Sequence, residues 1–312
     1  MADNKQLKEE ILRLKKEKNA VILAHYYQQG DIQDIADYIG DSLALAQKAA
    51  TLKDAGIIVM CGVHFMGETV KVLCPDKTVL MPDLEAGCSL ADSCPADEFK
   101  KFIDEHPGHT VISYVNTSLG VKALSDVLVT SSNARRIVES FPADAPIIFG
   151  PDRNLGGYIN AVTGRDMLLW DGACHVHERF SVDNILRLKE QYPEAPVLVH
   201  PECKRPVVLL ADVVGSTAAL LKYAVESPAH DFIVATESGI IHEMKKACPQ
   251  KNFIPAPPSD STCGCNDCSF MKLNTLEKLR DCLVAGKPEV VVDRELAEKA
   301  LMPINRMLEL SK

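Results

Sequence analysis

A threefold internal repeat constrains the fold of this chain more than any other feature of its sequence. Three short apolar segments, AVILAHYY, TVISYVN and PVLVHPE, each end in two polar residues separated by one position. These pairs are His25 and Tyr27, Tyr114 and Asn116, and His200 and Glu202. The second copy follows the first by 89 residues and the third follows the second by 86. A recurrence of this kind predicts three structurally related units.

Two further residue types recur with the same offsets. An aspartate follows each pair, and a hydroxyl residue stands five positions after that aspartate: Asp37 and Ser42, Asp126 and Ser131, Asp212 and Thr217. Each hydroxyl opens a segment of helical composition, so we interpret the three hydroxyls as helix caps. A single cap is usually only structural. Three caps at a fixed offset from a polar pair instead predict a site for several carboxylate or phosphate oxygens.

The middle copy indicates how each unit folds. Its apolar runs predict strands, and the segments between them predict helices, in the order 110–115, 118–124, 127–130, 132–140, 146–149, 152–163 and 167–170. Short apolar runs that alternate with helices are typical of parallel strands buried on both faces. We therefore predict an α/β fold of three pseudo-threefold-related three-layer αβα sandwich units, with parallel sheets around a central active site.

The repeat also predicts the domain boundaries. We expect a first unit with a leading helix at 1–106, a second at 107–192 and a third at 193–312. The stretch from Asn274 is expected to add a helix, the strand PEVVVD and a last helix, and to pack back on the first unit. Units of this size fall within the usual range for domains.

Composition excludes several classes of protein. The net charge of −9 argues against a nucleic-acid partner, whose binding normally requires a basic patch. It still permits a small anionic substrate, because helix N-termini supply local positive potential. The sequence has no apolar run long enough to span a bilayer, and its first twenty residues lack the apolar stretch of a signal peptide. We expect a cytoplasmic protein with no membrane partner.

Eleven cysteines in a chain of this kind are not expected to form disulfides, because the cytosol keeps thiols reduced. Each copy closes with a cysteine: Cys88, Cys174, and one of Cys263, Cys265 and Cys268. Cys94 competes with Cys88 in the segment GCSLADSC. Because Cys88 follows the dipeptide AG much as Cys174 follows GA, the parallel favours Cys88.

These cysteines allow two kinds of metal site. The segment CGCNDC taken alone suggests a small zinc site or a redox knuckle, although no fourth ligand with the usual zinc spacing lies beside it. The alternative is an iron–sulfur cluster held by one thiolate from each unit, with one iron left without a protein ligand. The repeat supports the cluster.

At this point the chain closely resembles the quinolinate synthase family. The motifs that carry the resemblance are LAHYYQ, GDSLALA, VMCGVHFMGETVK, MPDLEAGCSLAD, SYVNTS, VTSSNA, FGPDRNLGGY, WDGACHVHE, VHPEC, VGST, TESGI and SFMKLNTLEKL, which cover nearly the whole length. The resemblance implies an enzyme that joins iminosuccinate to dihydroxyacetone phosphate, giving quinolinate, phosphate and water on the route to NAD. An L-aspartate oxidase or an aspartate dehydrogenase would supply the iminosuccinate.

The resemblance also implies the cofactor and its ligands. The family holds a 4Fe-4S cluster, and its three cysteines match Cys88, Cys174 and Cys268. The open iron would act as a Lewis acid toward a substrate oxygen, with no net redox change. Ser269 stands where the family usually has proline, which leaves Cys265 as a competitor of Cys268.

Substrate and catalytic positions carry over in the same way. Tyr27, His200 and Glu202 would move protons while helix N-termini hold the carboxylates and the phosphate. The implied substrate-binding residues are His25, Ser42, Tyr114, Asn116, Ser131, His200, Glu202, Thr217 and Met271.

Two other functions fit parts of the pattern. One is another three-cysteine 4Fe-4S enzyme of similar architecture, either an isoprenoid diphosphate reductase or a diphthamide-type radical enzyme. The other is a non-catalytic, zinc-stapled binding protein built around CGCNDC.

Overall fold

Three four-stranded parallel sheets form the framework of the protein. The computed structural model describes residues 4–259 and 266–312. In each sheet the strands follow the same order, in which the second strand in sequence lies at one edge, followed by the first, the third and the fourth. All strand pairs within these sheets are parallel. The predicted α/β fold of three αβα units is confirmed.

The first sheet is built from strands β1 to β4 and is covered by helices on both faces. Its elements are α1 (Asn4–Glu17), β1 (Ala20–His25), α2 (Gly30–Gln33), β2 (Tyr38–Gly40), α3 (Ser42–Thr51), β3 (Ile57–Cys61), α4 (His64–Leu73), β4 (Thr78–Leu80) and α5 (Ser89–Asp92). Ile22 packs with Leu7 and Ile11 of α1 on one face. Leu23 packs with Leu45 of α3 on the other face. Successive side chains of a strand point to opposite faces, so both layers of helices are held by buried residues.

The second sheet follows the same plan. Its elements are α6 (Ala96–Asp104), β5 (Thr110–Tyr114), α7 (Leu119–Ala123), β6 (Val127–Val129), α8 (Ala134–Glu139), β7 (Ile147–Gly150), α9 (Arg153–Thr163), β8 (Leu168–Leu169) and α10 (His175–Glu178). Every boundary predicted for the middle copy lies within two residues of the observed one. The alternation of apolar runs with helical segments was therefore a sufficient signal for the elements of this unit.

The third sheet is formed by strands β9 to β12. Its elements are α11 (Val182–Gln191), β9 (Val197–Val199), α12 (Arg205–Val208), β10 (Val213–Val214), α13 (Thr217–Glu226), β11 (Asp231–Ala235), α14 (Ile240–Ala247) and β12 (Asn252–Pro255). Val197 packs with Ile185 on one face, and Leu198 packs with Leu220 on the other. No helix within the described ranges is both long and apolar enough to cross a membrane.

The helices of the C-terminal stretch pack against the first and second units. A short 3₁₀ turn (Met271–Leu273) leads into α15 (Leu276–Ala285), which packs against α1, and α16 (Arg294–Leu310) lies against α7, β6 and α4. The return therefore reaches the first unit, as expected, and the second unit as well. Each sheet lies inside one of the ranges 1–106, 107–192 and 193–312, and those boundaries themselves stay a prediction.

The strand predicted for PEVVVD does not form within the described residues. Glu289 makes one isolated antiparallel bridge with Leu80, supported by a 2.8 Å hydrogen bond from Val290 N to Val79 O. The edge strand β4 is only three residues long, and Val291 is 83% exposed. The sheet edge is too short to pair with the whole segment, so Val291 faces solvent while Val292 packs against the core.

The recurring aspartates have an architectural role. In each unit the aspartate carboxylate accepts the backbone N–H of a central-strand residue, in the pairs Asp37 with Ile22 (2.8 Å), Asp126 with Val111 (2.7 Å) and Asp212 with Val197 (2.8 Å). The backbone N–H of each aspartate returns a hydrogen bond to the carbonyl of the same partner. This double link fixes the start of the edge strand, so the hydroxyl five residues later falls at the carboxyl end of the sheet.

The predicted helix caps are wrong by one residue or more. The caps of α3 and α13 are Asp41 and Ser216, whose side chains accept the backbone N–H three residues further on at 2.9 and 3.3 Å. Ser42 and Thr217 are the first helical residues, and Ser131 lies in the turn before α8. The extended backbone that a cap needs occurs one position earlier in α3 and α13. The three predicted hydroxyls are therefore free of the capping role.

Candidate active site

One cavity lies where the carboxyl ends of the three sheets meet. The space between atoms in this cavity, including the part that is open to solvent, is about 700 Å³. All thirteen residues predicted for the site line its wall: His25, Tyr27, Ser42, Cys88, Tyr114, Asn116, Ser131, Cys174, His200, Glu202, Thr217, Cys268 and Met271. The structure thus brings together residues that lie far apart in sequence, and their individual roles stay predictions.

The three predicted cysteines border this cavity as half-buried free thiols. The competing Cys94 is 1% exposed and packs with Phe99 in a separate apolar cluster. Cys263 and Cys265 lie outside the described residues. Among the described alternatives, the geometry therefore favours Cys88 over Cys94 as the cysteine of the first unit.

Burial makes the thiolate form of these cysteines unfavourable. Burial raises the pKa of Cys88 to about 12 and the pKa of Cys268 to about 11, and it raises the pKa of Cys174 well above its ordinary value. The neighbouring thiol of Cys88 raises the pKa of Cys174 further. Thiolates in such surroundings need a nearby positive charge, which a bound metal centre provides.

His25 and His200 occupy equivalent positions in the first and third copies of the repeat, and an equivalent backbone contact holds each ring. The backbone N–H of Tyr27 donates to Nδ1 of His25 at 3.1 Å, and that of Glu202 donates to Nδ1 of His200 at 3.4 Å. Burial lowers the pKa of His25 to about 4 and that of His200 to about 3, so both rings are neutral at pH 7. Because Nδ1 accepts, Nε2 carries the proton. His200 Nε2 lies 3.2 Å from the Ser131 hydroxyl, to which it donates.

The phenol of Tyr27 begins a chain of polar contacts through the cavity wall. Its hydroxyl lies 2.8 Å from the hydroxyl oxygens of both Thr217 and Thr236. Thr236 Oγ1 lies 3.0 Å from His177 Nε2. Burial raises the pKa of Tyr27 well above its ordinary value, so the phenol keeps its proton at neutral pH.

The chain continues to a buried carboxylate. His177 Nδ1 lies 2.8 Å from Glu202 Oε2, and the Tyr114 hydroxyl donates to Glu202 Oε1. The distance between the two atoms suits an ion pair, although no aligned hydrogen bond reaches His177 Nδ1 within the described residues. Burial raises the pKa of Glu202, but the histidines His177 and His200 outweigh burial and lower it to about 2. Glu202 is therefore a carboxylate at neutral pH.

A group of possible metal ligands lies at one end of this chain. Ligand atoms of Cys174, His177 and Glu202 lie within 4.8 Å of one another. Thiolate, imidazole and carboxylate are all ligands of iron and zinc in proteins. The cavity wall therefore combines metal-binding groups with groups suited to proton transfer.

The wall also offers unpartnered polar atoms. Asn116 Oδ1 is buried and has no hydrogen-bond partner among the described residues. The N-termini of α3 and α13 begin at Ser42 and Thr217, both on the wall, and supply free backbone N–H groups. Met271 also lines the cavity, and its sulfur accepts a hydrogen bond from Gln28 at 3.3 Å. These groups face the space that a substrate would fill.

Sequence reasoning missed further residues of the wall and its supporting network, among them Asp41, His177, Thr236 and Glu237. His177 belongs to WDGACHVHE, and Thr236 and Glu237 belong to TESGI. Both motifs belong to the set that carries the resemblance to a family, but the residues of neither motif recur in all three copies of the repeat. The available signal was the motifs themselves, since the threefold repeat gives no information on residues that do not recur in all three units.

Comparisons with known proteins identify the family to which this chain belongs. A model of the family described as Quinolinate synthetase A protein matches residues 9–309. A protein named "Quinolinate synthase" from Synechococcus sp. is 57% identical over 301 residues, covering 96% of this chain and 94% of its own. Proteins of the same name from Thermosynechococcus vestitus (58% over 298 residues, 96% and 93% covered) and Chloroherpeton thalassium (57% over 304 residues, 97% and 94%) are similar to the same extent. The chain belongs to the quinolinate synthetase A family.

Proposed function

We propose that this chain condenses iminosuccinate with dihydroxyacetone phosphate to give quinolinate, phosphate and water in the biosynthesis of NAD. The names of the relatives support the product. The observation that carries the proposal is the meeting of three thiols and an acid–base chain at one cavity. Condensation, phosphate loss, tautomerisation and ring closure all require proton movement at a site shielded from bulk water.

We propose Cys88, Cys174 and Cys268 as the ligands of a 4Fe-4S cluster. The cavity wall carries three free thiols, one from each unit, and this matches the three-cysteine ligand set. Because the thiols are buried, their thiolate forms are favoured only beside a positive centre. Three ligands for four irons leave one iron without a protein ligand. When bound, such a cluster supplies a Lewis-acid position for a substrate oxygen.

Both substrates are anions, and the cavity offers them neutral and dipolar donors. The first residues of α3 and α13, Ser42 and Thr217, present hydroxyls beside free backbone N–H groups. His25 adds a neutral ring whose Nε2 carries a proton, and the side-chain amide of Asn116 adds an NH₂ donor. We assign these residues, together with Tyr114, Ser131 and His200, to binding the carboxylates and the phosphate. Glu202 and Met271 are assigned to substrate contacts outside these anionic groups.

Proton transfer is assigned to the chain that starts at Tyr27. The phenol can release its proton through Thr236 to His177 Nε2. The Glu202 carboxylate stabilises the imidazolium that results, because it lies 2.8 Å from His177 Nδ1. Tyr27 would then act as a base toward the bound intermediate, and His200, beside the same carboxylate, donates from Nε2.

An anaerobic assay tests this function. The purified chain, reconstituted with iron and sulfide, should form quinolinate from iminosuccinate and dihydroxyacetone phosphate. Iron and sulfide analysis of the same sample reports the cluster independently. A strict need for a reductant or for S-adenosylmethionine would instead support a reductase or a radical enzyme. A colourless protein that holds one zinc after Cys88→Ala and Cys174→Ala would support a binding protein.

The setting of the reaction is part of the proposal. We place it in the cytoplasm, with iminosuccinate supplied by an L-aspartate oxidase or an aspartate dehydrogenase. Iminosuccinate hydrolyses readily as an imine, so measured quinolinate yield should rise when either enzyme generates the substrate in the same vessel.

A further inference from the structure

Two buried carboxylates stand at equivalent places in the second and third units, and the proposed chemistry uses neither. Asp152 is the second residue after β7, and Glu237 is the second residue after β11. Both are 0% exposed. A carboxylate is costly to bury unless strong partners compensate, so the contacts of these two residues need a specific explanation.

Asp152 joins a helix start to a proposed cluster ligand. Its Oδ1 accepts the backbone N–H of Leu155 at 2.8 Å, which caps α9. Its Oδ2 accepts the backbone N–H of Cys174 at 3.3 Å. Capping alone would be served equally well by serine or asparagine. The second oxygen is therefore the part of the side chain that demands a carboxylate.

Glu237 repeats the arrangement in the third unit. Its Oε2 accepts the backbone N–H of Gly239 at 2.7 Å, and its Oε1 accepts the backbone N–H of Cys268 at 3.0 Å. The ammonium of Lys272 lies 2.8 Å from the same Oε1 and also donates to the carbonyl of Tyr27 at 2.8 Å. Glu237 thus holds the third cysteine and, through Lys272, is linked to the turn that carries Tyr27.

Among the residues that the structure describes, the first unit has no buried acid in this role. The second residue after β3 is Val63, which cannot accept a hydrogen bond through its side chain. There the backbone N–H of His64 donates to the carbonyl of Ala86 at 2.7 Å and ties down the loop that leads to Cys88. The threefold repeat is therefore broken in how the cysteines are held, and two of the three depend on a buried acid.

The geometry explains why an amide could not replace either acid. In both residues each of the two oxygens accepts a backbone N–H, so both positions must be acceptors. Asparagine or glutamine has one oxygen and one NH₂ group. One of the two backbone N–H groups would then face a donor, and that buried hydrogen bond would be lost.

We propose that Asp152 and Glu237 are positioning residues that hold Cys174 and Cys268 in the orientation required for binding the cluster. The inference rests on the proposed 4Fe-4S function. It predicts that changes at these acids weaken retention of the cluster at two of its three cysteines, although neither side chain is assigned to substrate binding.

The test measures iron release from the full chain. Wild type, Asp152→Asn and Glu237→Gln are reconstituted anaerobically, and loss of the cluster absorbance is followed after addition of a ferrous chelator. Each variant should release iron roughly tenfold faster, as expected when a buried backbone N–H loses its hydrogen-bond acceptor. Asp126→Asn is the matched control, because its carboxylate binds Val111 N at the opposite end of the second sheet. It should release iron at the wild-type rate.

Two further variants separate positioning from folding. Asp152→Ser keeps the cap of α9 and removes the acceptor of Cys174 N, so it should release iron as fast as Asp152→Asn. Glu237→Asp keeps two acceptor oxygens and should recover part of the retention. Thermal unfolding of the cluster-free proteins reports whether the fold is intact.

Each outcome decides between the two proposals. A wild-type chain that takes up no cluster overturns the proposed function and this inference with it. The second outcome is that the wild-type chain holds its cluster and that three variants release iron at the wild-type rate: Asp152→Asn, Asp152→Ser and Glu237→Gln. That outcome overturns this inference only. Equal acceleration in Asp126→Asn also overturns it, because general destabilisation would then explain the release.

Discussion

His177 Nδ1 lies 2.8 Å from Glu202 Oε2, and both side chains are 3% exposed. His177 belongs to α10, after the second sheet, whereas Glu202 follows β9 of the third sheet. Tyr27, at the other end of the polar chain, follows β1 of the first sheet. The proposed proton path therefore crosses all three units, and no single unit contains it.

Glu202→Gln should abolish most turnover and leave the cluster in place. The amide keeps the volume of the side chain but has no negative charge to stabilise an imidazolium on His177. Loss of one acid–base group lowers rates by roughly 10²- to 10⁴-fold. Quinolinate formation and the iron and sulfide content are measured on the same preparation. Glu178→Gln is the control, since Glu178 contacts Arg153 and Asn154 and does not line the cavity. Wild-type turnover in Glu202→Gln would remove Glu202 from proton transfer.

Tyr27→Phe should reduce the turnover number far more than it changes KM. The substitution removes the hydroxyl that joins Thr217 to Thr236, while the aromatic ring still packs beside His25 at a centroid distance of 4.5 Å. Steady-state kinetics of the reconstituted enzyme give both constants. Tyr26→Phe is the adjacent control, because Tyr26 does not line the cavity. A Tyr27→Phe variant that raised KM alone would show that the phenol binds substrate without moving protons.

Local patterns in the sequence were sufficient for the fold because the repeat reports the same elements three times. They failed at the helix caps, where two residues able to cap stand side by side. In the pairs Asp41–Ser42 and Ser216–Thr217 both side chains suit a cap, and only the backbone conformation decides which one serves. The hydroxyls identified from the sequence still face the cavity, since the caps lie one residue earlier.

The parts of the site that the sequence did not reveal depend on contacts between units. Thr236 and His177 have no counterparts in the other copies, and they become functional candidates only because packing places them between Tyr27 and Glu202. No periodicity along one chain encodes that placement. Asp152 is a similar case, since its bond to Cys174 spans 22 residues and two loops.

The three cysteines on the cavity wall should be individually required for the cluster. Cys88→Ala, Cys174→Ala and Cys268→Ala should each abolish the anaerobic visible absorbance and lower the iron and sulfide content. Cys94→Ala is the control, because that thiol is buried in a separate apolar cluster. Cys265→Ala should also keep the cluster. If Cys265→Ala lost the cluster and Cys268→Ala retained it, the assignment of the third ligand would be wrong.

Acidification should destabilise the cluster-free chain through two buried histidines. His25 and His200 are neutral in the folded state, because burial lowers the pKa from an ordinary value of 6.5 to about 4 and about 3. Below about pH 6.5 the unfolded chain binds protons that the folded chain does not, so the free energy of unfolding falls as the pH falls toward 4. Each histidine contributes up to about 1.4 kcal/mol per pH unit.

Urea unfolding at pH 7, 6 and 5 measures this loss. His200→Gln should make the dependence shallower by the share of one histidine, because glutamine binds no proton in this range, while the slope due to His25 persists. A pH dependence that becomes shallower in neither His200→Gln nor His25→Gln would mean that both imidazoles take up protons in the folded state. The two rings, whose neutral Nε2 donors are assigned to substrate binding, would then be cations. The carboxylates and the phosphate of the substrates would be held mainly by charge.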